Sequence, residues 1–161
     1  MKTHVAIYDS HEKAINATKV LNSKNFPMEH VSILGKAEIT DDHIHIKQLD
    51  TTKNAPALIG SGAGVVIGLL TGIGIFTIPG FGFLYGAGAL VGAFGGFEVG
   101  LVTGGIATLL ATIGIKKDSV VKLHEHLNEG KFLVVVKGPL KEVEKAEHIL
   151  HTEGTHLEML D

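Results

Sequence analysis

Between Ala55 and Ile115 the chain runs through an apolar segment in which the only ionisable side chains are Tyr85 and Glu98. Seventeen of the 21 glycines lie there, leaving only Gly35, Gly130, Gly138 and Gly154 outside it. Such a stretch has too few polar side chains to face water along its length. It belongs in a membrane or in an apolar core enclosed by protein.

The glycines are ordered. Gly60, Gly64, Gly68 and Gly72 recur every four residues, as do Gly88, Gly92, Gly96, Gly100 and Gly104. In a helix that spacing lines one face and lets a second backbone approach closely. Each glycine costs a helix ~1 kcal/mol relative to alanine, so close packing has to compensate. The segment is therefore expected to be a glycine-zipper helical hairpin. Its arms are Pro56–Phe76 and Phe83–Ile115, with the reversal at Thr77-Ile78-Pro79-Gly80-Phe81-Gly82. About 20 residues at ~1.5 Å each match a ~30 Å hydrocarbon layer. Glu98 becomes an intramembrane polar residue that faces a pore, a partner or water, or else sits at a bend beside Gly95-Gly96.

Both flanks are charged. Lys53 precedes the segment, Lys116-Lys117 follow it, and the reversal carries no charge. The positive-inside bias then places both termini in the cytoplasm, at the inner membrane. The alternative is a soluble cytoplasmic oligomer whose polar domains shield the hairpins.

The chain accordingly divides into residues 1–54, the apolar residues 55–115 and residues 116–161. The first block reads strand, helix, strand. Val5 and Ile7 alternate, Asp9 or Ser10 caps a helix with an Ala14-Ile15-Ala17-Thr18-Leu21 stripe, and His30–Leu34 form a second strand. Ile44 and Ile46, alternating with His43, His45 and Lys47, suggest a further hairpin over residues 38–49. In the last block Asp118 or Ser119 caps a helix burying Val120, Val121, Leu123 and Leu127. Phe132–Val136 is a continuous apolar strand, Pro139 opens a helix carrying Val143, Ala146, Ile149 and Leu150, and Gly154 ends it before a strand over His156–Leu160. Neither block alone can bury a sufficient core. Together they predict an α+β fold, a split ferredoxin-like sandwich of two strand–helix–strand halves around the inserted hairpin.

No catalytic constellation emerges, and the reading is of a non-enzyme without a cofactor. Zero cysteines exclude disulfides and thiolate sites. No lysine follows the glycines as in a phosphate-binding loop, and no nucleophile elbow occurs. A net charge of -3 and scattered basic residues argue against nucleic acid. Among ten histidines, His43 with His45 on a strand and His148 with His151 on a helix are spaced to share a metal, although neither pair has an evident third ligand.

The segments His4-Val5-Ala6-Ile7-Tyr8-Asp9 with Glu12-Lys13-Ala14, the hairpin with Ile78-Pro79-Gly80-Phe81-Gly82, and Leu127-Asn128-Glu129-Gly130-Lys131-Phe132-Leu133-Val134-Val135-Val136 resemble the bacterial general-stress (heat-induced stress, YflT-like) family. The resemblance implies a split α/β domain around a glycine-rich segment and a stress-linked membrane or assembly role, and it implies no catalytic residue. The expectation is a homo-oligomeric, membrane-associated scaffold whose partners are its own copies and lipid. The alternatives are a pore with Glu98 on the path, or a soluble carrier or sensor that encloses an apolar ligand or binds metal through histidine.

Overall fold

The computed structural model describes residues 1–36, 73–78, 82–88, 90 and 98–161, with side chains of 73–78, 82–83, 85 and 98–104 excepted. The elements are β1 (Lys2–Tyr8), α1 (His11–Ser23), β2 (Val31–Lys36), β3 (Ile73–Ile78), β4 (Gly82–Gly88), α2 (Glu98–Thr112), α3 (Lys117–Asn128), β5 (Phe132–Gly138), α4 (Leu140–Glu153) and β6 (Glu158–Leu160). The class is α+β. Among the described residues there is one sheet of six strands in the order β3-β4-β2-β5-β1-β6, with every neighbouring pair antiparallel.

The two polar blocks interleave. β5, from the C-terminal block, lies between β1 and β2 of the N-terminal block, with Ala6 opposite Val134 and Ile33 opposite Val134 from the other side. That central place explains its uninterrupted apolar run, since Phe132–Val136 are all fully buried. Alternation along each strand then supplies two cores. Ala6, Tyr8, Ile33, Phe132, Val134 and Val136 pack beneath α1 and α4, which contribute Ala14, Ala17, Leu21, Val143, Ala146 and Leu150. Val5, Ile7, Leu34, Leu133 and Val135 face α2 and α3, which contribute Ile106, Leu109, Leu110, Leu123 and Leu127. β1, β2 and β5 are thus covered on both faces.

Local signals placed most helix ends. Ser10 caps α1, its hydroxyl accepting the Lys13 amide at 3.2 Å. Gly154 ends α4 in the left-handed region at φ 77°. Two local expectations need correcting. α3 follows Lys116 with no side-chain cap, so neither Asp118 nor Ser119 serves, and Val121 is 64% exposed rather than part of the buried face.

The larger correction concerns the apolar segment. Ile73–Ile78 and Gly82–Gly88 are strands, not parts of two helical arms, and β4 pairs with β2 along Ser32–Lys36. The expected reversal does occur, since Ile78 is the partner of Gly82. Glycine carries a similar conformational cost in helix and strand, so the pairing partner decides, and here the open edge of β2 pairs the backbone of β4. Helical structure resumes at Glu98 and is kinked at Gly105, where φ is 63° and ψ is -160°. Its second part buries Ile106, Leu109 and Leu110 against the sheet. No helix among the described residues is long and apolar enough to cross a membrane.

The glycine ladders fare unequally. Gly88 lies in β4 with φ +111°, and a Cβ there would strike the Val31 carbonyl oxygen and the Ser32 backbone. It therefore shares no helix face with Gly100 and Gly104, which precede the kink in α2. Gly60, Gly64, Gly68, Gly72, Gly92 and Gly96 lie outside the described residues, as does the hairpin expected over 38–49 with His43 and His45.

Candidate functional site

A polar cavity of about 720 Å³ opens where β6 runs along the outer side of β1. Its construction follows from register and helical spacing. β6 pairs with β1 through Val5 and Leu160, so continuing the ladder brings Asp161 opposite His4. Lys2 and His4 share a strand face with Ala6 and Tyr8, the face covered by α4. On α4, Glu144, Glu147, His148 and His151 stand three, four and seven positions apart, a single stripe that lines the cavity. Lys116 and Ser119 contribute from the start of α3.

His4 is 3% exposed, and its Nδ1 lies 2.9 Å from Asp161 Oδ1. Its Nε2 is buried with no hydrogen-bond partner among the described residues. Two ammonium groups converge on the same carboxylate: Lys2 Nζ at 3.4 Å and Lys116 Nζ at 3.6 Å from Asp161 Oδ2. Lys2 also reaches Glu147 at 3.9 Å. Burial opposes ionisation of Asp161, but the His4 hydrogen bond and the Lys2 charge outweigh it and hold this carboxyl below its ordinary range. One ring nitrogen of His4 and one carboxylate oxygen each from Glu147 and Asp161 lie within 4.8 Å of one another, which is metal-ligand spacing.

A second polar cluster borders β6 on its other side. Glu158 meets Lys122 Nζ at 3.2 Å and His126 Nε2 at 3.3 Å. The hydrogen bond from Lys122, then that from His126, hold Glu158 below the usual carboxylate range. Both partners lie on the α3 face, four positions apart.

Of the histidine pairs expected from spacing, His148 and His151 do line one cavity, and the tertiary structure adds His4, Glu147 and Asp161 to them. Local spacing could not have found those three, because they come from β1, α4 and the residue after β6. Glu98 is the first residue of α2. No family model, curated protein or solved structure matches this chain.

Proposed function

We propose that this is a non-enzymatic, homo-oligomeric scaffold protein that associates with a membrane through the glycine-rich residues following β2. The carrying observation is that β2 and β3 belong to one sheet, joined through β4. β2 and β3 run parallel, so the chain leaves β2 at one end of the sheet and enters β3 from the other, but a single sheet lies on one side of any bilayer. Two crossings would be needed to span a bilayer between these strands, and residues 37–54 carry too many charged groups to supply one of them. A single-sided, re-entrant insertion of Ala55–Gly72 meets the constraint. As a helix this stretch would rise ~27 Å, and four of its five glycines, Gly60, Gly64, Gly68 and Gly72, would offer a close-packing face to the same stretch of a second copy.

We read the core as the split ferredoxin-like sandwich. The order β2-β5-β1-β6, with α1 and α4 packed together on one face, is the order that fold requires. β3, β4, α2 and α3 are additions to it. The resemblance to the bacterial general-stress family is the support for a stress-linked role.

One observation favours a second reading, a soluble oligomer that shelters its apolar arms or an apolar ligand within protein. Much of the expected hairpin is already occupied by the domain itself, through β3, β4 and the buried second part of α2. The pore alternative has less support, because Glu98 begins a helix whose continuation docks on the sheet.

Fractionation of the untagged protein, with alkaline carbonate washing, followed by particle mass in buffer and in mild detergent, tests the proposal. Retention in washed membranes with a detergent-stable multimer is expected. A large soluble particle would transfer the assignment to the second reading. A monomer in both media would reject both. Replacing Gly64 and Gly68 by leucine is expected to reduce the particle mass; an unchanged mass would remove the glycine face from assembly.

A further inference from the structure

We propose that His4, Glu147 and Asp161 form a binding site for a zinc-class divalent ion, seated between β1, α4 and the end of β6. Three donor atoms lie within 4.8 Å of one another, one from each residue. Tetrahedral sites that keep an open position use three protein ligands and a solvent or substrate oxygen. One imidazole with two carboxylates suits zinc, cobalt or nickel better than calcium or magnesium, which take oxygen ligands alone.

Burial fixes the His4 ring beside the two carboxylates. His4 is almost wholly buried, yet only one of its nitrogens has a partner, the Asp161 carboxylate at 2.9 Å. The nitrogen beside the carboxylates is Nδ1, so the lone pair offered to an ion is that of Nδ1, in exchange for its hydrogen bond to Asp161. The adjoining cavity has room for the ion's remaining ligands, and His148 and His151 line it.

Lys2 and Lys116 bear on the same carboxylates and compete with an ion. Lys2 Nζ lies 3.4 Å from Asp161 and 3.9 Å from Glu147, and Lys116 Nζ lies 3.6 Å from Asp161. If the cluster were only a set of ion pairs, removing Lys2 would weaken it. If it is a metal site, removing Lys2 frees both carboxylates.

The test is zinc titration of the full-length chain without a histidine tag, followed by calorimetry and by cobalt absorption as a readout of coordination. One equivalent of zinc is expected to bind. Glu147→Gln and Asp161→Asn are each expected to weaken binding by about tenfold or more, because each removes one of three ligands. Both positions are partly exposed, so these variants are expected to preserve the fold, whereas His4 is buried in it. Lys2→Met is expected to tighten binding. Absence of stoichiometric binding would overturn the proposal, as would unchanged affinity in both carboxylate variants. Weaker binding in Lys2→Met would also overturn it. Binding lost in His148→Ala with His151→Ala but retained in the carboxylate variants would overturn the ligand assignment. None of these outcomes depends on membrane association or particle mass.

Discussion

Gly35 on β2 lies flat against the ring of Phe132 on β5, so that a Cβ on Gly35 would overlap the Cδ1–Cε1 edge of that ring. The ring cannot retreat freely, because the His11 imidazole stands on it with centroids 5.1 Å apart. Close approach of an aromatic ring, not backbone conformation, is what requires glycine there. Gly35→Ala is therefore expected to destabilise the fold by about 1–3 kcal/mol through overpacking. The midpoint of urea unfolding would show it; an unchanged midpoint would mean the ring has an alternative position.

Ser32 fastens the exit from β4. Its hydroxyl accepts the Leu90 amide at 3.2 Å in a buried setting, just beyond the tight approach of Gly88 to Val31. Ser32→Ala leaves that amide without its partner, and a loss of about 1–3 kcal/mol is expected. Hydrogen exchange at Leu90 and along β4 should quicken more than exchange in β1. Equal effects on both strands would argue against a local fastening role.

Tyr8 makes the opposite prediction. Its side chain is fully buried and its hydroxyl has no partner among the described residues. Burial, and then the negative charge of Glu153, push its ionisation far above the ordinary phenol value. A buried hydroxyl without a hydrogen bond contributes nothing that a phenyl ring lacks. Tyr8→Phe is expected to be neutral or to stabilise by up to about 1 kcal/mol. A loss of more than that in chemical denaturation would reveal a partner for the hydroxyl.

Glu158 gives a pH dependence with a definite sign. Lys122 and His126 hold its folded-state ionisation below the value of the unfolded chain, so at acidic pH the unfolded state binds more protons. The stabilisation is present above the ordinary glutamate value of about 4.3 and is lost as pH falls through the depressed folded value. Glu158→Gln should be less stable than the parent at neutral pH, with the two curves converging under acid. A constant difference down to the acid transition would refute the linkage.

Much of the α/β domain was legible in local signals. The Ser10 cap, the Ala14-Ile15-Ala17-Thr18-Leu21 stripe and the unbroken run Phe132–Val136 each report their own element, because capping and periodic burial act over a few residues. The candidate site was legible only in part. His148 and His151 share a helix face and announce themselves by spacing, whereas His4 and Asp161 are joined by the β1–β6 register across 157 positions.

The sequence by itself determined where the apolar and polar blocks lie, the places of β1, α1, β2, α3, β5 and α4, and that the two polar blocks needed each other to bury a core. It could not determine the conformation of Ile73–Ile78 and Gly82–Gly88, for which the glycine spacing predicted helical arms. A four-residue repeat specifies a helix face only if the segment is helical, and glycine itself is indifferent between helix and strand. The tertiary structure decided the matter, because the outer side of β2 offers unpaired backbone groups to any extended segment that can reach them. The same long-range pairing, not any local preference, set Asp161 beside His4.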